Sequence, residues 1–178
     1  VYTEIARDGT GTGFDVKALA HVASLAPLRI TASGGARPPD DFRALRDGAP
    51  ELAEEWEPRL TLADYDGGAL AGMTMTERQG GSDLRANITR AEPLGDGRYE
   101  LHGHKWFCSY PPCDVFLVLA QAPVGLSCLL VQRGPGMEFQ RLKDKLGTRS
   151  LPSSEVELRG IEGRLVGEEG RGVPAIIR

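Results

Sequence analysis

The 178-residue sequence is poor in several features, and each shortage argues against a class of protein. No run comes near the roughly 20 apolar residues that a membrane-spanning helix requires. The formal net charge is −4, so the chain lacks the basic excess that is typical of nucleic-acid binders. Three histidines offer little for a Ser-His-Asp arrangement, and no nucleophile elbow is visible.

Cysteine is scarce and its number is odd. Cys108, Cys113 and Cys128 lack the spacing of a disulfide framework, which predicts a reducing, cytoplasmic location. The mildly apolar stretch 18–28 is interrupted by His21 and Pro27, and it is interpreted as an amphipathic helix rather than a signal peptide.

Glycine and proline are abundant, with 23 and 12 residues, whereas aromatic residues make up only 6%. This balance predicts many turns and short strands rather than a helical bundle. Residues 1–70 are expected to form short helices and loops, including a helix over 16–26 capped by Asp15, a linker over 31–41 and a helix from Asp40. A further helix is predicted from Pro50, ending at Pro58, with Leu52 and Trp56 packed inward.

Residues 71–165 have the pattern of an antiparallel β-domain, a sandwich or a barrel. Segments 87–92 and 98–107 flank a Gly-Asp-Gly hairpin signal at 95–97. Apolar runs at 114–121 and 126–132 fit strands buried on both faces, and 154–159 alternates as a half-exposed strand would.

Residues 166–178 form an exit turn and the start of a helix. That helix stops within its first turns, and short isolated helices are marginal in water. Because the chain also begins with Val1 rather than Met, we expect a processed or truncated product whose further helices lie elsewhere.

Two blocks carry the chemistry. Residues 72–83 (GMTMTERQGGSD) and 103–109 (GHKWFCS) combine glycine amides and hydroxyl groups with aromatic rings. Amides and hydroxyls suit a phosphate or the polar rim of a flat ring, and an aromatic ring suits stacking, so the pair predicts a flavin dinucleotide site. The alternative is a plain polar turn leading into a strand.

Strand geometry makes a finer prediction about the second block. Trp106 and Phe107 are adjacent and should face opposite sides of a strand, one of them in the core. Ser109 should then share the face of Phe107 and line a pocket with it.

Three other patterns have weaker interpretations. His102, His104 and Cys108 would share a strand face, but their spacing is unlike a zinc site, and the cysteines are better explained as small core residues. The glycines of 9–13 lack the preceding strand of a dinucleotide loop. The basic run 141–149 (RLKDKLGTR) is either a solvated surface or a phosphate contact.

With both blocks in place, the chain resembles the middle β-domain of the acyl-CoA dehydrogenase superfamily. The family's T-E-x-x-x-G-S-D segment and its G-x-K followed by an aromatic and a hydroxyl residue correspond to 76–83 and 103–109. They are followed in order by K-x-G-x-R at 145–149 and an L-x-G-x-x-x-x-G exit at 165–172. The detailed wording of residues 73–83, 105–109 and 141–147 is most similar to the AidB-like branch.

The resemblance implies FAD and, as its reaction, α,β-dehydrogenation of an acyl thioester. Phe107 takes the family's usual tryptophan position against the flavin, Ser109 takes the threonine position near N5, and Thr76 meets the ring's polar edge. Ser82 is also expected to touch an acyl-CoA substrate. The implied cofactor-binding residues are Met73, Met75, Thr76, Gly81, Ser82, Phe107, Cys108 and Ser109.

The chain also departs from the family. A longer N-terminal helical domain and a C-terminal helical bundle are expected in the family, and the bundle supplies the catalytic glutamate in most branches. We therefore assign no catalytic base, and we expect a homo-oligomer or a helical partner to complete the site. The alternative function is a non-enzymatic, DNA-binding alkylation-response protein, as in the AidB-like branch.

Overall fold

The computed structural model describes residues 49–62, 64 and 66–176. The helices predicted over 16–26 and from Asp40, the linker over 31–41 and the glycines of 9–13 lie outside these residues. Within them, two helices flank seven strands, and a 3-10 helix spans Leu84–Ala86. The elements are α1 (Pro50–Thr61), β1 (Ala71–Thr74), β2 (Arg90–Gly95), β3 (Arg98–Ser109), β4 (Val115–Ala122), β5 (Gly125–Gln132), β6 (Met137–Leu142), β7 (Ser153–Val166) and α2 (Gly172–Ile176).

The predicted hairpin at 95–97 joins β2 to β3. Gly95 pairs with Arg98, so Asp96 and Gly97 form a two-residue loop. Both loop residues have positive φ, 52° and 71°, as the turn with the twist of its flanking strands requires. The Gly-Asp-Gly signal is therefore confirmed, and it sets the register of the long strand that carries the second block.

The sheet closes into a barrel. Five strands form a ring in the order β4, β2, β3, β7, β5, and β5 pairs again with β4 along its whole length. β1 and β6 pair outside this ring, with β4 and β7 respectively. Most pairings are antiparallel, as predicted, but β1 and β2 both pair with β4 in parallel. The choice between sandwich and barrel is thus decided for the barrel.

The two apolar runs are buried on both faces, as their continuous hydrophobicity predicts. One face of β4 turns Phe116, Val118 and Ala120 into the barrel interior. The other face turns Val115 and Leu119 outward, against a second cluster that includes α1 and α2. The helices are needed because this outer face would otherwise expose apolar surface to water.

Helix α1 places Leu52 and Trp56 inward, each 3% exposed, as predicted. The prediction that Pro58 ends the helix is wrong, because α1 continues to Thr61. Proline removes the hydrogen bond to the carbonyl of Glu54, but both residues lie on the exposed side, where water can replace it.

The expected half-exposed alternation at the start of β7 is also wrong. Ser153, Ser154, Glu155 and Val156 are buried in succession. The Glu155 side chain is covered by Arg141 and Lys143, whose nitrogens lie 3.1 and 2.7 Å from its carboxylate. A period-two pattern reports which side chains point outward, but it does not report what covers them.

No helix in the described ranges is both long enough and apolar enough to cross a membrane.

The barrel interior has no room for a side chain at Gly163. A Cβ at this position would lie 2.9 Å from Leu101 Cδ1 and 3.0 Å from Val131 Cγ2, although the backbone φ is ordinary. We expect Gly163→Ala to lower the free energy of unfolding by about 1–3 kcal/mol through overpacking. Denaturant titration followed by circular dichroism measures this.

Gly147→Ala is the matched control, because its Cβ would have nothing within 4 Å. It should change stability by about 0.5 kcal/mol or less, or raise it slightly by restricting the unfolded chain. Equal stability of the two variants would contradict the steric explanation.

Candidate functional site

The two sequence blocks meet at one end of the barrel. The Trp106 amide donates to the Thr76 carbonyl at 2.9 Å, beyond the end of β1. The Thr74 hydroxyl donates to the Phe107 carbonyl at 3.2 Å. The hairpin thus brings the two blocks together as expected, and these two hydrogen bonds fix their relative position.

A buried ion pair binds the blocks more firmly. Lys105 Nζ, in the second block, lies 2.6 Å from Glu77 Oε1 in the first, and both side chains are at most 1% exposed. The ammonium also donates to the Leu119 carbonyl of β4. The pair therefore ties three segments of the chain to one point, and the sequence analysis did not find it, although both residues belong to the quoted motifs.

The Glu77 carboxylate accepts further hydrogen bonds. The Ile88 amide donates to Oε2 at 2.7 Å, the Thr89 amide to Oε1 at 3.1 Å, and Gln79 Nε2 to Oε2 at 2.7 Å. Burial raises the pKa of Glu77, but the Ile88 amide and Lys105 outweigh it and lower the pKa to about 2. Burial lowers the pKa of Lys105 to about 8, with Glu77 opposing the shift, so both groups are charged at neutral pH.

The turn after Glu77 presents its donors to solvent. Gly81 and Ser82 are exposed, and neither takes part in any hydrogen bond found among the described residues. A Cβ on Gly81 would meet nothing within 4 Å, and its φ is not positive. Packing within the chain thus gives no reason for a glycine here, whereas close approach of a ligand would. Free amides and a hydroxyl are the donors that suit phosphate oxygens.

The aromatic pair departs from strict alternation. Lys105 and Cys108 both point inward and are 0% exposed, and the pairing of β3 with β7 shifts register between them. Trp106 and Phe107 both stay outside the core, so the prediction that one of them is core is wrong. The cause is the β-bulge, which places two consecutive residues on the outside.

The bulge also separates residues that a regular strand would align. Cys108 lies in the barrel interior, whereas His102 and His104 lie outside, so the three do not share a face as expected. Burial raises the pKa of the Cys108 thiol to about 12, so the thiol stays protonated within the core, where the residue is 0% exposed. No group of three or more metal-binding side chains occurs among the residues described here.

The other predicted cofactor residues are partly accessible. Phe107 is 39% exposed, and Ser109 follows it on the outward side of Cys108 with intermediate burial. Met73 and Met75 are half-buried against the outer cluster, and Thr76 is half-buried beside them. Together they form an open surface rather than a closed pocket.

Two clefts open on the described surface. One lies beside the buried ion pair and is lined by Glu77, Gln79, Gly103 and His104 of the two blocks, together with Ile88, Arg90, Glu92 and His102. The other lies between α1 and the barrel, at Trp56, Leu130 and Arg164. Neither is lined by any of the eight predicted cofactor residues.

The basic run 141–149 is engaged within the fold. Lys145 Nζ lies 3.0 Å from Ser153 Oγ and also bonds the Leu151 carbonyl, and Arg149 Nε donates to the Lys145 carbonyl at 2.6 Å. Arg141 and Lys143 share Glu155. Its two lysines are partly buried and bonded within the fold, whereas Arg141 and Arg149 are bonded but remain 72% and 59% exposed.

Comparisons of sequence and structure with known proteins identify the family of this chain. Residues 72–161 match the family described as acyl-CoA dehydrogenase, middle domain. The chain belongs to the acyl-CoA dehydrogenase family. It is 47% identical over 135 residues to "Putative acyl-CoA dehydrogenase AidB" of Escherichia coli, covering 72% of this chain and 25% of that protein. It is 36% identical over 146 residues to acyl-CoA dehydrogenase family member 11 of Caenorhabditis elegans.

A solved structure matches in the same range. The crystal structure of Caenorhabditis elegans ACDH-11 in complex with C11-CoA superposes with a TM-score of 0.71 at 35% identity, covering 76% of this chain and 26% of that one. The chain thus spans about a quarter of the length of these relatives. Residues 1–53 match a different family, described as histidine biosynthesis protein, and the sequence analysis did not detect that likeness.

The Glu77–Lys105 pair predicts a large effect of a single charge deletion. Lys105→Met should lower the free energy of unfolding by about 3–5 kcal/mol, because it leaves a buried carboxylate without its ammonium. The double variant Glu77→Gln with Lys105→Met should recover part of the loss. Denaturant titration of both variants measures the coupling.

Arg98→Met is the control, since Arg98 pairs with Glu162 at 3.7 Å with both side chains about half exposed. It should cost about 1 kcal/mol or less. A Lys105→Met chain as stable as Arg98→Met would show that the buried pair contributes nothing.

The low pKa of Glu77 also predicts an acid limb of stability. Since the pKa of Glu77 in the folded chain, about 2, lies below its ordinary value of 4.5, the carboxylate stabilises the fold at neutral pH. This contribution should be lost as pH falls from about 4.5 towards 2. Glu77→Gln should flatten that part of the curve, measured as unfolding free energy against pH. If Glu77→Gln loses as much unfolding free energy over this pH range as the unsubstituted chain, other groups cause the acid unfolding.

Proposed function

We propose that this end of the barrel is one wall of an FAD site, in an acyl-CoA dehydrogenase whose intact form carries out α,β-dehydrogenation of acyl thioesters. The observation that carries the proposal is the buried Glu77–Lys105 pair, which ties the segment leading into the exposed turn at Gly81 and Ser82 to the strand that carries the outward-facing Phe107. Family membership supports the proposal, because the match to the family covers both blocks, and the resemblance implies that these blocks line the flavin.

Each exposed group has a part in this proposal. The amides of Gly81 and Ser82 would bind pyrophosphate oxygens, and the Ser82 hydroxyl would also contact an acyl-CoA. Phe107 would stack on the isoalloxazine ring, with Ser109 and Thr76 donating to its polar edge. Met73 and Met75 would pack against the apolar part of the ring, and Cys108 would contribute through its backbone.

The cofactor supplies a hydride acceptor for the β-hydrogen of the substrate. The α-proton needs a base whose pKa lies near the working pH. Glu77 does not fit this role, because it is buried, bonded to Lys105 and lowered to a pKa of about 2. The base is therefore proposed to come from outside the described residues.

The remaining walls of the site call for a partner. An open surface of half-buried residues should bind a dinucleotide only weakly by itself. We therefore propose that a second copy of the chain or a helical partner completes the FAD site. The free, buried cysteines support the proposed cytoplasmic location. For the alternative DNA-binding function, the likeness to AidB is the supporting observation, and the net charge of −4 counts against it.

Titration with FAD tests the proposal. The full chain should bind FAD weakly and quench its fluorescence, and Phe107→Ala should weaken the affinity about tenfold further through lost stacking. Val124→Ala is the control, because Val124 is an exposed apolar residue on the β4–β5 turn, outside the two blocks. Its affinity should equal that of the unsubstituted chain.

Two outcomes would count against the FAD site. Absence of binding at any FAD concentration would show that this chain has no FAD site. Equal affinities of the Phe107→Ala and Val124→Ala variants would show that Phe107 does not contact the flavin. DNA affinity that falls steeply with salt would instead favour the alternative function.

A further inference from the structure

Lys143 occupies an unusual position beside the aromatic pair. Its ammonium lies 3.0 Å from the centroid of the Trp106 ring and 4.9 Å from that of Phe107. The side chain is only 8% exposed, so it is not a solvated surface lysine. A cation this close to two ring faces is attracted by both, and the attraction is stronger where water is excluded.

Two contacts hold Lys143 in place, and a second cation lies against the same indole. Nζ lies 2.7 Å from Glu155 Oε1, on the neighbouring strand β7. The Lys143 amide donates to the Ser153 carbonyl at 2.8 Å, so its backbone is fixed as well. Arg78, from the first block, lies 5.4 Å from the Trp106 ring centroid. The indole is thus fixed between the turn of the first block and the end of β6.

The charges around Lys143 do not cancel. Glu155 faces two cations, Lys143 at 2.7 Å and Arg141 at 3.1 Å, with His104 Nε2 at 3.6 Å from its other oxygen. His104 is itself shared with Glu157, 2.6 Å from Nδ1. Because Glu155 is shared with Arg141, it does not fully neutralise Lys143, whose ammonium lies 4.9 Å from the centroid of the Phe107 ring.

We propose that Lys143 is a positioning residue of the flavin wall, which fixes Trp106 and Phe107 and directs positive charge towards a flavin stacked on Phe107. This inference rests on the proposed function. Its consequence is electrostatic, because a reduced flavin carries more negative charge than an oxidised one. A nearby cation therefore makes the wall favour the reduced form.

Four variants of the full chain separate charge from packing. Lys143→Met keeps the length of the side chain and removes the charge, whereas Lys143→Arg keeps the charge. Arg141→Met removes the other cation that pairs with Glu155 and should leave the two rings in place. The Arg141 side chain is 72% exposed and pairs with Glu155. Glu155→Gln removes the counter-charge of Lys143.

The first measurement needs no flavin. Acrylamide quenching of Trp106 emission, obtained by difference from Trp106→Phe to remove the buried Trp56, should increase in Lys143→Met and stay unchanged in Arg141→Met. Circular dichroism confirms that each variant is folded. Equal quenching in the two variants would overturn the positioning role.

The second measurement compares affinities for oxidised and dithionite-reduced FAD. Lys143→Met should lower the reduced-to-oxidised affinity ratio about fivefold, the scale of one partly screened charge. That change corresponds to a reduction potential about 20 mV more negative for a two-electron couple. Glu155→Gln should raise the ratio, and Lys143→Arg should retain it.

The outcomes of this comparison are distinct. An unchanged ratio in Lys143→Met, or a shift of Glu155→Gln in the same direction as Lys143→Met, overturns the role of Lys143 and leaves the FAD site standing. A chain that binds neither form of FAD overturns the proposed function, and the electrostatic role fails with it.

Discussion

The arrangement of this end of the barrel depends on one buried ion pair. Glu77 and Lys105 lie 2.6 Å apart with almost no exposure, and a charge in such a place is costly unless its partners are complete. Here they are complete, since two backbone amides, a glutamine amide and an ammonium converge on one carboxylate. The blocks that they join can separate only by leaving a buried charge unpaired.

The pairing of β1 with β4 makes the third contact of this pair possible. The ammonium reaches the Leu119 carbonyl because β4 lies next to β1, the strand that leads into the segment of Glu77. Within the closed barrel, the apolar side chains of β4 divide between the interior and an outer cluster covered by α1 and α2. The structural unit therefore begins before the family match at residue 72, because Leu52 and Trp56 of α1 belong to the core.

The β-bulge in β3 is the second constraint with functional weight. It turns Trp106 and Phe107 outward together, so that one ring can be fixed by Lys143 and Arg78 while the other remains accessible. A regular strand would have buried one of the two rings. Bulges of this kind commonly redirect side chains next to binding sites, and this one exposes the Phe107 ring on the strand that Lys105 ties to the first block.

The sequence by itself determined the local structure. Asp96 and Gly97 specify a hairpin turn, the apolar runs specify strands buried on both faces, and the ordered motifs specify the family, because each signal depends on neighbouring residues or on a fixed spacing. Tertiary structure alone decided the bulge, the partner of Glu77, the cover over Glu155 and the helical continuation past Pro58. These depend on contacts between residues far apart in sequence, such as Lys105 with Glu77 and Lys143 with Trp106, and a pattern along the chain does not show which surfaces will meet.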